Sequence, residues 1–134
     1  MAAINFDEKM HTGIKELDDQ HLEIIEQANM LIEAMKEGNG SDALDDLLSD
    51  LEKKMENHFK TEENILKLHN YPQLEEQIQE HDKYRAKINE FKRENDSEKN
   101  ISLPIKVLSL IKEYINNHLR DTDIAYVEFL KKSA

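Results

Sequence analysis

Apolar residues recur every three or four positions along most of the chain, which is the spacing of helices that bury one face. One clear stripe follows the linker Asn39–Gly40 and consists of Leu44, Leu48, Leu51 and Met55. Similar stripes occur in three other segments. The pattern therefore predicts four long helices, at about residues 19–37, 41–69, 72–93 and 103–120.

Residues that favour helix ends lie at the limits of these segments. Asp18 or Asp19 suits the N-cap of the first helix, and Gly38 suits its end, because a short acceptor side chain bonds free amides and glycine adopts positive φ readily. Pro72 suits the first turn of the third helix, where a missing N–H costs nothing. The polar residues 93–100 predict the longest loop.

Short connections make consecutive helices antiparallel neighbours, so the pattern predicts an all-α, up-down-up-down four-helix bundle. Residues 1–18 carry apolar positions without helical spacing, which indicates an extended N-terminal arm that packs across the bundle. Residues 123–131 predict a short C-terminal helix. With 134 residues, the whole chain has the size of a single domain.

Composition and charge restrict the expected partners. The formal net charge is −11, which repels phosphate and anionic lipid, so we expect neither nucleic acid nor a membrane surface as a partner. There is no apolar run of the roughly 20 residues that span a bilayer and no signal-peptide layout, which predicts a cytoplasmic protein. The chain contains no cysteine, so any metal must be bound by nitrogen and oxygen. A monomer is the simplest expectation, although no feature of the sequence determines the oligomeric state.

Four of the six histidines lie on the inward stripes of four different helices, and they are His21, His58, His81 and His118. One histidine on an apolar face is more often a core residue bonded to a carbonyl than a ligand. Four on separate helices indicate a shared site. His58 and Glu62 are four residues apart, as are Gln77 and His81, and this spacing places each pair on one helical face.

The last pair of candidate ligands has a different spacing. His118 and Asp123 are five residues apart, so both can face inward only where the helix kinks or bulges between them. Imidazole nitrogen together with carboxylate oxygen suits iron, zinc, manganese or copper better than calcium or magnesium. Two carboxylates and four histidines exceed the needs of one ion, so a carboxylate-bridged pair of metals is the simplest interpretation.

Four segments resemble bacterial hemerythrins in their order and spacing, and the resemblance covers nearly the whole chain. They are TGIKELDDQH (12–21), HFKTEE (58–63), YPQLEEQIQEH (71–81) and HLRDTD (118–123). The resemblance implies a hemerythrin-like domain that holds two iron ions, Fe²⁺ or Fe³⁺, joined by an oxo or hydroxo bridge. The implied ligands are His21 and His58 on the first iron and His81 and His118 on the second, with Glu62 and Asp123 bridging the pair.

The same resemblance implies a function in dioxygen binding. In the family, dioxygen binds at an open position on the first iron, and Phe59 and Ile115 match positions that line the oxygen pocket. An apolar lining excludes water and slows proton delivery, which favours reversible binding over irreversible oxidation. The expected function is oxygen transport, storage or sensing, and an enzymatic role is the less favoured expectation.

Gln77 departs from the family pattern, which has a histidine on the second iron at this position. The carbonyl oxygen of glutamine is a weaker donor than imidazole. Three arrangements stay open: Gln77 ligates through oxygen, water takes the position, or the second iron binds weakly. If both irons have open positions, the alternative function is an oxidase or peroxidase that activates oxygen or peroxide. A metal store or a metal-depleted helical bundle is a further alternative.

Overall fold

A computed structural model gives the fold and describes residues 4, 12–97, 102–117 and 127–131. Its four long helices are α1 (Lys15–Lys36), α2 (Gly40–Leu68), α3 (Leu74–Ser97) and α4 (Ser102–Glu113). A π-helical turn at 114–117 continues α4, and a short helix, α5, covers 127–131. No strand occurs in these ranges, and none of their helices is long and apolar enough to cross a membrane. The predicted all-α fold is confirmed.

The contacts between α2 and α3 show that these helices run in opposite directions. In order along α2, the contacting pairs are Asp45 with Asn95, Glu52 with Lys92, Glu56 with Arg85, and Glu62 with His81. Residue numbers rise along α2 as they fall along α3, so the two helices are antiparallel. The predicted up-down-up-down bundle is confirmed.

The apolar interior has two parts. A larger cluster contains residues of all four long helices, including Leu31, Leu51, Ile88 and Ile111. A smaller cluster consists of Leu17, Leu66 and Tyr71, and three residues of α5, Val127, Phe129 and Leu130, pack against it. The short helix therefore covers one end of the bundle. The other residues expected in that helix, 123–126, lie outside the described part of the chain.

The start of α1 was predicted wrongly, because the helix begins at Lys15 and not at Asp18 or Asp19. Asp18 binds the segment before the helix: its Oδ1 atom accepts from the backbone nitrogen of Thr12 at 2.7 Å and from the Thr12 hydroxyl at 2.9 Å. Ile14 occupies the N-cap position without a side-chain hydrogen bond. Asp18 therefore lies inside the first turn of the helix and holds the preceding segment by hydrogen bonds. In sequence such a residue resembles an N-cap, although it lies later in the helix.

The end of α3 was also predicted wrongly, because the helix continues through residues 93–97, which were expected to form a loop. Polar contacts with neighbouring helices explain the extension. The buried side-chain amide of Asn95 donates to Asp45 of α2, and Glu94 pairs with Lys106 of α4 at 3.0 Å. The end of α1, both ends of α2 and the starts of α3 and α4 lie within one or two residues of the predicted positions. The α-helical part of α4 ends at Glu113 and continues as the π-helical turn to residue 117, whereas the predicted end at 120 lies outside the described residues.

The structure describes part of the expected N-terminal arm, namely residue 4 and residues 12–14. Ile4 exchanges two hydrogen bonds with the side chain of Asn29, at 2.7 and 2.9 Å, and packs against the larger apolar cluster. At this residue the chain lies against the middle of α1.

Candidate metal centre

The predicted ligands from α1, α2 and α3 meet in the bundle interior, where His21, His58, Glu62 and His81 are each 0% exposed. Their positions along the helices explain this burial. On α1, His21 lies one turn after Leu17 of the smaller apolar cluster and one turn before Ile25 of the larger cluster. The polar centre therefore lies between two apolar regions that anchor the same helices.

Three of these side chains are close enough to bind one ion. His21 Nε2 lies 3.0 Å from His58 Nε2, and His58 Nε2 lies 3.0 Å from Glu62 Oε2. Each of the three offers a ligand atom within 4.8 Å of the others. Metal–ligand bonds of about 2.1 Å place neighbouring ligand atoms about 3 Å apart. His21, His58 and Glu62 therefore have the separations of a metal-binding group.

The carboxylate of Glu62 also faces α3. Its Oε1 atom lies 3.1 Å from His81 Nε2, while Oε2 faces His58. One carboxylate thus contacts imidazoles of two helices through separate oxygens. This arrangement is the one that a carboxylate bridge between two ions requires.

Hydrogen bonds outside the centre determine which nitrogen of His58 carries a hydrogen. The hydroxyl of Thr61 donates to the carbonyl oxygen of Asn57 at 2.9 Å, so it can accept from Gln20 Nε2 at 3.0 Å. The carbonyl oxygen of Gln20 then lies 3.0 Å from His58 Nδ1. Because this oxygen can only accept, Nδ1 is the donor. The Nε2 lone pair of neutral His58 therefore points into the centre.

His81 is oriented in the same way, but by a charged group. Its Nδ1 atom donates to Glu63 Oε2 at 2.6 Å, so the Nε2 lone pair of neutral His81 points at Glu62. Arg85 Nη2 donates to the same Glu63 oxygen at 3.1 Å. Both histidines therefore hold the tautomer that presents Nε2 to a metal.

This arrangement calls for positive charge in the centre. Lone-pair nitrogens that face both oxygens of a buried carboxylate repel it unless protons or a cation lie between them. Burial lowers the pKa of His81, but the hydrogen bonds and charges of Glu62 and Glu63 outweigh burial and raise it. A metal ion would take the place of these protons. The nitrogen and oxygen donors fit iron and other first-row transition metals.

Gln77 lies one turn before His81 on α3 and is 3% exposed. Its carbonyl oxygen has no hydrogen-bond partner within the described residues. Most buried polar atoms are paired, so an unpaired carbonyl in the interior requires an explanation. This oxygen is available to a cation or to a water molecule.

The two residues expected to line an oxygen pocket are buried in apolar surroundings. Phe59 and Ile115 are 0% and 2% exposed, and both belong to the larger apolar cluster. The ring of Phe59 stacks on His81, with centroids 4.2 Å apart and planes at 14°. Ile115 lies in the π-helical turn after α4. Their role in binding oxygen stays a prediction.

The remaining predicted ligands, His118 and Asp123, lie outside the described residues. A bulge was predicted between them, and a π-helical turn at 114–117 directly precedes His118. A π-helical turn inserts one residue relative to an α-helix and so changes the face on which the following side chains emerge. The roles of both residues as ligands stay predictions.

The sequence pattern does not predict four of the residues around the centre: Gln20, Thr61, Glu63 and Arg85. They lie beside the inward stripes, so a search for side chains on those stripes does not select them. A signal was nevertheless present, because Gln20 directly precedes His21, Glu63 directly follows Glu62, and Arg85 lies one turn after His81. Residues next to predicted ligands are candidates for orienting them.

Comparison with known proteins agrees with this geometry. The family model of the hemerythrin HHE cation binding domain matches residues 12–130. Bacteriohemerythrins from Pseudomonas paraeruginosa and Pseudomonas aeruginosa are each 24% identical over 133 residues, which is 99% of this chain and 85% of theirs. The Clostridium acetobutylicum bacteriohemerythrin is 27% identical over 127 residues, 90% of this chain and 96% of its own. The chain therefore belongs to the hemerythrin family, whose members bind non-haem iron.

Proposed function

We propose that this protein holds two iron ions and binds dioxygen reversibly, in oxygen transport, storage or sensing. The observation that carries the proposal is the carboxylate of Glu62, which is fully buried and faces His58 and His81 through different oxygens. One ion accounts for only one of these two contacts. Two ions that share this carboxylate account for both.

The proposed ligands combine this division of the centre with the ligand set that the family resemblance implies. His21 and His58 would hold the first iron, and His81 and His118 would hold the second. Glu62 and Asp123 would be shared by the two ions. Gln77 would lie beside the second iron, and its carbonyl oxygen, which has no hydrogen-bond partner among the described residues, would either ligate the metal or bond a water molecule.

The protein side chains would control the chemistry that the iron pair supplies. Two ferrous ions together can transfer electrons to dioxygen. Phe59 and Ile115 keep water and proton donors away from the centre, which favours release of oxygen over its reduction. Gln20 and Glu63 hold their histidines in the tautomers that leave Nε2 available to metal.

A second candidate is an oxidase or peroxidase, and Gln77 is the observation that favours it. If the carbonyl oxygen of Gln77 does not bind the second iron, both irons have positions that oxygen or peroxide can occupy. A pair of ions open on both sides favours activation of the ligand over its release. The buried oxygen of Gln77, which has no partner in the part of the chain that the structure describes, is compatible with either arrangement.

Anaerobic loading with ferrous iron, followed by oxygen, distinguishes these functions. The proposal predicts about two irons per chain and a visible absorption band that forms with oxygen and disappears when oxygen is removed. Rapid, irreversible conversion to the ferric spectrum would instead support the oxidase. Fewer than about one iron per chain would contradict both functions and indicate a metal-depleted bundle. Glu23→Gln, on the exposed face of α1, is a control variant. It should bind as much iron as the unaltered protein and show the same absorption band with oxygen.

A further inference from the structure

The two described histidines that contact Glu62 have outer hydrogen-bond partners of different charge. His58 Nδ1 faces the neutral carboxamide of Gln20 at 3.0 Å. His81 Nδ1 donates to the carboxylate of Glu63 at the shorter distance of 2.6 Å. A hydrogen bond to a carboxylate shifts electron density onto the imidazole and strengthens its other nitrogen as a donor. The histidine on α2 therefore has a neutral hydrogen-bond partner, whereas the histidine on α3 has a charged one.

Glu63 is itself held in place by Arg85. The guanidinium donates to Glu63 at 3.1 Å, to Glu56 at 2.7 Å and to Asp82 at 2.9 Å. These three carboxylates come from both α2 and α3, so Arg85 ties the two helices together beside His81. Because it is shared among several acceptors, Arg85 fixes the position of Glu63 without neutralising the local negative charge.

Phe59 completes this arrangement by restricting the plane of the imidazole. The Arg85 guanidinium carbon lies 5.1 Å from the centre of the Phe59 ring, and that ring stacks on His81 at 4.2 Å. Stacking restrains the tilt of the imidazole, and the bond to Glu63 restrains its rotation within its plane. Because these contacts hold the ring in position, the charge of Glu63 affects only the strength of His81 Nε2 as a metal donor.

We propose that Glu63, held by Arg85, is a positioning residue that fixes the His81 tautomer and strengthens Nε2 as a donor to the second metal. This inference rests on the proposed two-metal centre and adds a determinant of its affinity. Gln77 makes this determinant important, because a carbonyl oxygen is the weaker donor next to His81 on α3. Among the described residues, His81 is the only imidazole proposed for the second metal, so the affinity for this metal should depend strongly on His81.

Titration of the metal-free protein with Zn²⁺ tests the proposal without iron oxidation or oxygen. We expect two binding steps, the tighter at His21 and His58 and the weaker at His81. Removal of a hydrogen-bond partner of a ligating histidine typically costs about 10- to 100-fold in metal affinity. Glu63→Gln keeps an acceptor but loses the charge, so the Zn²⁺ affinity of the weaker step should fall by about tenfold. Glu63→Leu loses both the acceptor and the charge, so the same affinity should fall by about 100-fold.

Glu56→Gln is the matched control, because it removes one negative charge from the same arginine without touching His81. The Zn²⁺ affinity of its weaker step should stay within about threefold of the value for the unaltered protein. If the weaker step had the same Zn²⁺ affinity in the unaltered protein and in Glu63→Leu, the role of Glu63 would be overturned and the two-metal centre would stand. Failure of the unaltered protein to bind a first Zn²⁺ would instead overturn the metal centre itself.

A spectroscopic measurement separates positioning from a general effect on folding. In the Zn²⁺-loaded protein, the proton on His81 Nδ1 should resonate far downfield, as expected for a short bond to a carboxylate. In Glu63→Gln it should move upfield, while the Nδ1 proton of His58 should not move. Equal shifts of both protons would show a change of the whole bundle and overturn the specific role of Glu63.

A double substitution tests the link to Gln77. In a Gln77→His background, α3 offers a second imidazole beside His81, so adding Glu63→Gln should lower the affinity for the second Zn²⁺ less than it does in the unaltered protein. The loss of Zn²⁺ affinity at the weaker step that Glu63→Gln causes should fall from about tenfold to within about threefold. An undiminished cost would show that the effect of Glu63 is independent of Gln77 and overturn this part of the inference.

Discussion

The centre has two halves that are similar in geometry and different in chemistry. The half on α1 and α2 presents two imidazoles, His21 and His58, and its outer support is the neutral, mostly buried Gln20. The half on α3 presents one imidazole, His81, together with the carbonyl of Gln77. Its outer support is charged and partly open to solvent, because the side chains of Glu63 and Arg85 are 19% and 24% exposed.

This difference separates two ways of making a histidine a good ligand. In the first half a second imidazole supplies donor strength, and a neutral hydrogen bond is enough to fix the tautomer. In the second half, among the described residues, donor strength depends on a carboxylate at the far side of a single imidazole. The first half should therefore tolerate loss of its outer hydrogen bond better than the second.

The largest effect is expected from Glu62→Gln, which removes what the two halves share. The substitution keeps the size of the side chain but replaces one carboxylate oxygen with an NH₂ group, which cannot ligate a metal. It also removes the negative charge that favours cations in the centre. We expect iron content to fall from about two per chain to below one, measured after anaerobic loading and desalting.

Glu23→Gln provides the comparison for that experiment, since it makes the same chemical change on the exposed face of α1. It should retain the iron content of the unaltered protein. Two tightly bound irons in Glu62→Gln would show that this carboxylate does not join the halves.

The second largest effect is expected from Gln77→His, which makes the second half resemble the first. The new imidazole lies one turn before His81 on the same helical face. The weaker Zn²⁺ step should tighten by more than about tenfold, for which an added bond must contribute only about 1.4 kcal/mol. The iron-loaded protein should also autoxidise more slowly, which is measured by the loss of the oxygen-dependent absorption band.

Gln77→Asn is the control for this prediction, because it keeps the amide and shortens its reach. It should not tighten the weaker step. Equal iron content and equal autoxidation in Gln77→His and the unaltered protein would contradict the role assigned to Gln77.

The sequence was sufficient to predict the bundle and the part of the centre that follows helical periodicity. His58 and Glu62 share a face because they are four residues apart, and the apolar stripes show which face is inward. His81 could be placed opposite them because short connections imply antiparallel neighbours. These inferences need only the spacing of residues along each helix.

The outer hydrogen bonds could not be predicted in this way, because they depend on how adjacent helices are rotated and aligned. Glu63 reaches His81 across the seam between α2 and α3, and Gln20 reaches His58 across the seam between α1 and α2. Such contacts change with small rotations that the apolar pattern leaves open. The start of α1 and the end of α3 were predicted wrongly for a related reason, since Asp18 and Asn95 act through partners distant from the apolar stripe.

The smallest of the three effects is expected from Gln20→Leu, which removes the neutral support of His58. Leucine has a similar volume, so packing between α1 and α2 should change little. The tighter Zn²⁺ step should weaken by about tenfold, at the low end of the range for outer hydrogen bonds, because His21 still binds the ion. The weaker step should not change, whereas Glu63→Leu weakens only that step. If Gln20→Leu instead weakened both steps equally, the halves would not be independent, since a neutral hydrogen bond on α1 would then control a metal bound by α3.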